Sequence, residues 1–452
     1  MAWFSAWLTA TAEFRNRFLR LAAINVLSNL MVPLAGLIDV AFLGHLDDIR
    51  HLAGVTLATV VFNYVYWSFG FLRMGTTGMA AQATGRGDTD EVWLVGLRHG
   101  AIAIAAGCII VLLQAPIREL AFAMLSASPD VLDAGRAYYT AQVWGAPAAL
   151  LDFVLVGWCL GRGQGRRVLM LSAVQNSVNV ALNYVFIVLW GWASAGAGAA
   201  TALSQCAMLL AGLILIAPDV NRQQVRSLLP QLFDMTALRY IFALNGNITI
   251  RTFALVSTFA VFTNLSAALG TVTLAANTLL LQVITLAAYF IDGLAFATES
   301  FAGMFHGQGD RTKLTALAQL SGSLSLGLGV AIALLFSIFP EPLFGLLTSH
   351  TSVIRQVTDY VWWLLPILAF ASLAYMLDGY FLGITAGATL RTSALISSSL
   401  GFAPLAYVSW QQQSTHLLWL ALTGFMVARS LTLGSAMGRM VLNPESQPGS
   451  GA

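Results

Sequence analysis

Ionisable side chains inside long apolar stretches are costly, so each one in this sequence needs an explanation. The first, Asp39, ends the segment Pro33-Leu-Ala-Gly-Leu-Ile-Asp39, and no basic residue lies within one helical turn of it. A partly buried carboxylate without a neighbouring cation can exchange protons near neutral pH. Pro33 removes one helix hydrogen bond and offers a bending point. We predict that Asp39 is a proton-coupling group and that Pro33 bends its helix; the alternative is a carboxylate that caps a loop or lies in the outer interface.

Three asparagines form a polar stripe in the fifth apolar stretch. Asn176, Asn179 and Asn183 are three and four residues apart, so a helix places them on one face. Hydrogen bonding between membrane helices is one explanation. The other is that the stripe lines a wet cavity together with Asp39. We assign the three asparagines to a predicted substrate cavity.

Polar and aromatic side chains also cluster in the second apolar stretch, where Asn63, Tyr64 and Trp67 lie close together. Aromatic faces can hold flat cationic or apolar ligands by stacking and cation–π attraction. A belt facing lipid explains many such residues, and for each residue taken alone a belt or packing role is favoured over a ligand contact. We include these three as candidates for the predicted substrate cavity.

Composition shows what kind of molecule must hold these residues. The chain has 452 residues, of which 58% are hydrophobic and 9% charged, with a mean hydropathy of +0.77. Soluble domains carry about 25% charged residues, and a membrane-spanning helix needs about 20 apolar residues. The apolar runs are too long for barrel strands, so the sequence predicts an all-α integral membrane protein with twelve transmembrane helices. The predicted ranges are 17–43, 51–83, 92–113, 131–160, 166–189, 193–217, 237–264, 271–305, 312–336, 352–383, 388–409 and 414–440.

The distribution of basic residues predicts the orientation. With both termini inside, the inner loops and ends hold 15 of the 22 basic residues, the outer loops hold four and the spans hold three. The positive-inside rule then puts both termini in the cytoplasm, with the chain in the plasma membrane, or the inner membrane of a bacterium. The composition favours no nucleic-acid partner. The six histidines lie at or near predicted helix ends, and the sequence has no zinc motif, phosphate loop or nucleophile pattern, so we expect neither an enzyme nor a cofactor or metal.

An internal repeat divides the chain. A shift of 222 residues aligns 52–88 with 274–310 without a gap, and both stretches end in a Gly-x-Gly-Asp turn. The same shift pairs Gly157-Trp-Cys-Leu-Gly161 with Gly379-Tyr-Phe-Leu-Gly383. Six helices per repeat give both repeats the same orientation, as in transporters with parallel repeats. The predicted organisation is two pseudo-symmetric six-helix lobes, 1–217 and 237–440, a cytoplasmic linker, 218–236, and a disordered cytoplasmic tail, 441–452.

The repeat also suggests partners for charged groups. Arg73 and Asp292 lie one turn apart in the aligned halves and can pair across the midline. Arg251 competes for Asp292 or for Glu299. We predict structural ion pairs among these four residues, which can also act as a gate.

Three more charged groups have no clear partner in the sequence. Asp152 and Asp378 lie near the inner ends of their helices, where their side chains can reach the cytoplasm. Arg429 is interpreted as a helix-end residue. The roles of the two aspartates are left open at this stage.

These features resemble the multidrug and toxic compound extrusion (MATE) transporters over nearly the whole chain. Within that family, Phe71-Leu-Arg-Met-Gly-Thr-Thr-Gly78 and Asp292-Gly-x-Ala-x-Ala-x-Glu299 resemble the DinF-type branch. The resemblance implies two helix bundles around a central cleft and antiport of organic compounds against protons or sodium. It implies that Asp39 is the proton-binding carboxylate, that Asn179 and Asn183 are a polar pair, and that Asp378 is a candidate ion site in the second lobe.

The predicted function is export of organic, lipophilic cationic compounds in exchange for protons by alternating access. The chain needs only small organic substrates and the lipid bilayer as partners, and we expect a monomer. Alternatives are a sodium-coupled exporter, an exporter of organic anions, for which Arg73 and Arg251 offer positive charge, and a flippase for lipid-linked substrates. A flippase needs a strongly cationic cleft, whereas acids outnumber bases five to three inside these spans.

Overall fold

The computed structural model describes residues 12–46 and 48–442, which are almost entirely helical. Twelve long helical segments follow one another, and their ends lie within one or two turns of the predicted ones, which confirms the predicted all-α architecture. The first six are α1 (Ala12–Gly44), α2 (Arg50–Arg86), α3 (Thr89–Leu112), α4 (Pro129–Gly161), α5 (Gly165–Leu189) and α6 (Ala193–Asp219). The second six are α7 (Met235–Ala268), α8 (Thr271–Gly307), α9 (Arg311–Ile338), α10 (Thr351–Gly383), α11 (387–412) and α12 (Thr415–Leu442). Residues 443–452, most of the predicted tail, lie outside the described residues.

The segment α11 is more polar than the others. Among the described residues, eleven helices are long and apolar enough to cross a membrane, and α11 is not one of them. Three consecutive serines, 397–399, begin a π-turn over Ser397–Phe402 and lower the hydropathy of the segment. The hydroxyls of Ser397 and Ser399 donate hydrogen bonds to backbone carbonyls four residues earlier, at 2.7 and 2.6 Å, so their polar groups are paired within the helix. The segment therefore continues as a helix despite its polarity.

The repeated Gly-x-Gly-Asp turn has a defined role in both halves. Gly87 and Gly309 adopt φ values of 73° and 71°, in the left-handed region that glycine tolerates best. Each following aspartate, Asp88 or Asp310, is an N-cap and accepts a hydrogen bond from the amide three residues later, at 2.9 and 3.0 Å. The motif therefore ends one helix and starts the next in each repeat.

Glycines of α4 and α10 let neighbouring helices approach closely. A Cβ on Gly157 would lie 2.5 Å from the carbonyl oxygen of Arg73, and a Cβ on Gly379 would collide with the carbonyl oxygen of Ala295. Both members of the second contact lie 222 residues after those of the first, so the repeat seen in the sequence is also a repeat of packing. Small residues four apart commonly bring membrane helices together in this way. The next turn repeats the arrangement, with Gly161 against Thr77 and Gly383 against Glu299.

The chain forms two compact units, which we name by a carboxylate in each. The Asp39 unit is Leu27–Phe242, and the Asp378 unit is Met1–Val26 with Ala243–Ala452. The start of α1 thus belongs with helices of the second half: the ring of Phe14 meets that of Phe301 edge-on, with centroids 5.5 Å apart. The predicted lobe boundary at residue 217 did not include this exchange, since hydropathy does not report which bundle a helix packs against.

Each unit has its own apolar core. In the Asp39 unit, the rings of Phe62 and Tyr139 stack with centroids 5.1 Å apart. In the Asp378 unit, Phe262 and Trp419 pack edge to face at 4.9 Å. The indole N–H of the buried Trp419 donates to the side-chain oxygen of Asn277 at 3.0 Å, which satisfies a polar group inside apolar surroundings.

The segment that joins α6 to α7 is anchored to the Asp39 unit. It contains a short helix, Arg222–Leu228. The side chain of Gln224 donates to Asp90 at 2.6 Å, and buried Arg98 donates to the carbonyl oxygen of Gln231 at 3.1 Å. At the start of this segment, Asp219 receives hydrogen bonds from two arginines, Arg162 and Arg167. The predicted linker is therefore ordered against α3 rather than free.

The close approach at Gly157 can be tested by adding a side chain there. Gly157→Ala would force α4 away from α2 and cost about 1–3 kcal/mol of stability, as overpacked cores do. Gly327 in α9 has open space around its Cβ position, and alanine is favoured over glycine in a helix by about 1 kcal/mol. Thermal unfolding in detergent should therefore rank Gly327→Ala at or above the parent chain and Gly157→Ala below it. Equal stability of the two variants would contradict the packing described here.

Candidate functional site

The Asp39 site lies where α1 and α5 run side by side. The side chain of Asn183 donates to the Asp39 carboxylate at 2.5 Å. Eleven residues earlier on both helices, the hydroxyls of Ser28 and Ser172 form a hydrogen bond of 2.7 Å. Because both contacts join residues 144 apart, the two helices are parallel and keep one register over about 16 Å. This register places the carboxylate opposite the amide.

A chain of polar groups continues from Asp39 into the unit. Asn183 also donates to the side-chain oxygen of Asn179 at 3.0 Å, and Asn179 reaches the hydroxyl of Thr201 on α6 at 3.5 Å. Both asparagines are buried. Tyr138 on α4 lies near Thr201 and within electrostatic range of Asp39. The carboxylate is thus one member of a polar cluster drawn from four helices.

Asp39 keeps a neutral partner. The side chain of Asp39 is half-buried, and its hydrogen-bond partner is the side-chain amide of Asn183. Within the described part of the chain, no lysine or arginine side chain forms an ion pair with it. An amide hydrogen bond stabilises a carboxylate without cancelling its charge. The site can therefore accept a proton or attract a cation.

The other predicted cavity residues stand apart from this network. Asn176 turns back to its own helix and donates to the carbonyl of Ser172 at 2.6 Å. Asn63, Tyr64 and Trp67 have exposed side chains on α2, and Asp39 has no recorded hydrogen bond with them among the described residues. Their role in substrate binding stays a prediction.

Pro33 lies inside α1, which is helical on both sides of it. Because proline has no N–H, the carbonyl four residues earlier loses its helical donor at this point. Asp39 follows less than two turns later on the same helix. The weakest point of α1 is therefore close to its charged residue, and bending there stays a prediction.

Two arginines surround the carboxylate of the Asp378 unit. The same oxygen of Asp378 accepts hydrogen bonds from Arg251 on α7 and from Arg429 on α12. All three residues are buried, with Arg429 only 1% exposed. The interpretation of Arg429 as a helix-end residue is therefore wrong. The side chain of Asp378, whose role the sequence left open, is buried between the two arginines. Arg251 forms an ion pair with Asp378, because α7, α10 and α12 meet at this depth.

The predicted ion pairs of Arg73, Asp292 and Glu299 remain predictions. Arg73 and Asp292 are half-buried, and Glu299 is fully buried on α8. Each of the three has further interactions in the structure. The backbone carbonyl of Glu299 also forms the close contact with Gly383 of α10, so packing fixes the position of this residue.

Two buried groups lie deeper in the structure than their positions near predicted helix ends suggested. Asp152 is 5% exposed, and neither of its carboxyl oxygens has a hydrogen-bond partner among the described residues. His99, placed near a helix end, is fully buried in α3, where its Nδ1 lies 2.9 Å from the carbonyl oxygen of Val95. In both cases α3 and α4 pack closely enough to cover side chains that hydropathy placed near the membrane surface.

Sequence reasoning missed three members of the two clusters. Tyr138 and Thr201 lie in ordinary aromatic and alanine-rich stretches, and no local spacing marks them. Arg429 was visible as a charge within an apolar run, and that cost was the signal that it needs a buried partner. No group of three or more His, Cys, Asp or Glu residues that could hold a metal ion occurs in the described part of the chain.

Comparison with known proteins places this architecture. The MatE family model matches the chain twice, at residues 25–185 and 248–408, once in each repeat. The chain is 31% identical over 419 residues to "DNA damage-inducible protein F" of Escherichia coli (strain K12), covering 93% of this chain and 91% of that protein. It is 28% identical over 426 residues to "Probable multidrug resistance protein NorM" of Rhizobium meliloti (strain 1021), covering 90% and 87%.

Solved structures share the fold. A crystal structure of MATE in complex with MaL6 matches with a TM-score of 0.83 at 18% identity, over 95% of this chain and 96% of that one. An outward-facing multidrug resistance MATE family transporter matches with a TM-score of 0.82 at 19% identity, over 95% and 96%. The chain thus belongs to the MatE family of multidrug and toxic compound extrusion transporters, and it is a membrane transporter rather than an enzyme.

Proposed function

We propose that this chain exports organic, lipophilic cationic compounds in exchange for protons, with Asp39 as the proton-binding group. The observation that carries the proposal is the contact between Asp39 and Asn183, in which a half-buried carboxylate has a neutral partner. A carboxylate in such surroundings binds either a proton or a cationic ligand, and the two compete for one charge. Competition for one site is the simplest basis for exchange.

The geometry suggests how protonation changes the structure. A hydrogen bond to a charged acceptor is about twice as strong as one between neutral groups. Protonation of Asp39 therefore weakens its bond with Asn183 and loosens α1 from α5 at that level. Pro33, less than two turns away, is where α1 then bends most easily. In this mechanism the proton enters from outside as the exported compound leaves, and the units then return to accept another molecule from the cytoplasm.

The Asp378 unit supports proton rather than sodium coupling. A cation at Asp378 would have to approach a carboxylate that already accepts hydrogen bonds from two guanidinium groups. The two guanidinium groups would repel such a cation strongly, because the surrounding medium has a low dielectric constant. Among the described residues no arginine or lysine pairs with Asp39, so the exchangeable charge is assigned to the Asp39 unit.

The substrate assignment draws on relatives. The Rhizobium protein is named for multidrug resistance, and a lone carboxylate favours cations over anions. Export of organic anions, sodium coupling and flipping of lipid-linked substrates are the alternatives. We further propose a monomer in the plasma membrane, the inner membrane in a bacterium, with both termini cytoplasmic. Its energy comes from the proton gradient, and no cofactor or nucleic acid takes part.

Replacing Asp39 with Asn tests the coupling directly. The variant keeps the size and one acceptor of the side chain but cannot exchange a proton. We expect it to lose uptake of ethidium into inverted vesicles driven by a proton gradient, and to lose ethidium-induced proton release from purified protein. The comparison should be made in sodium-containing and sodium-free buffers, with equal results expected in both.

The matched control is Asp133→Asn, which makes the same change at a carboxylate 71% exposed and paired with Arg136 on the surface of α4. It should transport like the parent chain. Proton-coupled transport that persists in Asp39→Asn would rule out the assignment, and a requirement for sodium would favour the sodium-coupled alternative.

The two arginines predict a structural role for Asp378. In Asp378→Asn, Arg251 and Arg429 would remain buried without their counter-charge, and breaking a buried ion pair by removing one partner typically costs about 3–5 kcal/mol. Thermal unfolding in detergent should therefore show a large loss of stability relative to Asp133→Asn. A variant that unfolds like the parent yet releases no protons would instead move the coupling site to the Asp378 unit.

A further inference from the structure

A groove of about 500 Å³ lies between α7 and α11 in the Asp378 unit. Such a volume falls in the range of small-molecule sites. Among the described residues, those that line the groove are all uncharged. Apart from alanine and other aliphatic side chains, the lining contains hydroxyls and exposed aromatic rings, notably Thr258, Ser398, Ser399, Tyr407 and Trp410.

This groove, called the α7–α11 groove below, is the counterpart of the Asp39 site. Val261, which lines it, lies 222 residues after Asp39. The hydroxyl of Ser398 donates to the carbonyl of Ala254, across the same spacing of 144 residues that joins Asp39 to Asn183. The helix pair is thus the same in both repeats. In the Asp39 unit it carries a carboxylate, and here it carries an open uncharged groove.

The hydroxyls of the groove are arranged as acceptors. Thr258 donates to the carbonyl of Ala254 at 2.9 Å and also shares a hydrogen bond of 2.9 Å with Ser398, in which one of the two hydroxyls accepts. Ser399 donates to the carbonyl of Leu395 at 2.6 Å. Because a hydroxyl oxygen has two lone pairs, each of these oxygens keeps at least one for a ligand donor. The groove therefore suits a ligand that brings N–H or O–H groups.

The aromatic side chains at one end of the groove favour a flat ligand. The rings of Tyr407 and Trp410 lie 6.0 Å apart, and their side chains are 56% and 51% exposed. Exposed aromatic faces stack on planar ring systems. The groove is also lined by the π-turn of α11, and turns of this kind are frequent at functional sites because they interrupt the regular helix.

We propose that the α7–α11 groove binds the aromatic, hydrogen-bond-donating part of an exported compound. The occupant is a substrate ring system rather than a lipid acyl chain, because an acyl chain brings neither donors for the hydroxyls nor a flat face for the rings. The inference rests on the proposed export function and adds a second binding place to it. The groove recognises ring systems by shape and hydrogen bonding within the Asp378 unit, and the described residues that line it carry no charge.

Filling the groove tests the proposal by binding rather than transport. Purified protein in nanodiscs is titrated with ethidium, a planar cation with amino donors, and with tetraphenylphosphonium, a cation without donors. Val261→Trp should weaken ethidium binding about tenfold, which corresponds to about 1.4 kcal/mol. Leu400→Trp is the matched control, because Leu400 belongs to the same π-turn, is 71% exposed and does not line the groove. It should bind ethidium like the parent chain.

A smaller change separates hydrogen bonding from bulk. In Thr258→Val with Ser398→Ala, the shape of the groove is nearly kept and two acceptors are removed. Ethidium should bind several-fold more weakly, whereas tetraphenylphosphonium should bind as before. This variant also serves if Val261→Trp does not fold.

The outcomes distinguish the groove from the proposed function. Unchanged ethidium affinity in both groove variants, with transport by the parent chain intact, overturns the groove alone. The same unchanged affinity with less co-purified phospholipid in Val261→Trp identifies a lipid site and also overturns it. A parent chain that binds ethidium in the groove but exchanges no protons keeps the groove and overturns the proposed function. Loss of affinity in Leu400→Trp equal to that in Val261→Trp would also contradict the groove.

Discussion

The hydrogen bond between Asp39 and Asn183 is the contact on which the site depends. It ties α1 to α5 through one charged and one neutral group, so its strength varies with the charge of the carboxylate. A second contact, between Ser28 and Ser172, holds the same register further along the helices and is independent of protonation. Helices α1 and α5 are therefore held together at Ser28 and Ser172 whatever the charge, whereas their contact at Asp39 changes with protonation. A helix that moves on binding needs one contact of each kind.

The two units use one scaffold for different electrostatics. Glycine contacts at equivalent positions, Gly157 with Arg73 and Gly379 with Ala295, fix the same approach of helices in each. The buried carboxylates differ, because Asp378 lies between two arginines and Asp152 has no partner among the described residues. Packing of backbone against backbone limits which residues can change, whereas side chains outside those contacts were free to diverge. Chemistry could therefore separate between the units without a change of fold.

The sequence predicted what depends on local pattern. Hydropathy located the twelve helices, and the spacing of Asn179 and Asn183 predicted the face that meets Asp39. The sequence could not predict the contact of Arg251 and Arg429 with Asp378. These residues lie on three helices, and their contact depends on how those helices are rotated about their axes. The same holds for residues that carry no unusual signal of their own. A tyrosine or threonine in an apolar helix becomes part of a site only through its neighbours.

The uncharged α7–α11 groove follows from the same reasoning about the repeat. At the position of Asp39 the second repeat has Val261. The helix pair α7 and α11 therefore has no carboxylate at this position, and an uncharged groove lies between the two helices. A carboxylate attracts a ligand by its charge over a long range and largely irrespective of the ligand's shape. A groove of hydroxyls and aromatic rings binds a ligand only where the two surfaces fit in direct contact. Since the proposed charge site and the proposed groove lie on different helix pairs, we expect a substitution in one to leave the other intact. A transporter built this way can accept varied ring systems while keeping one rule for the charge that it exchanges.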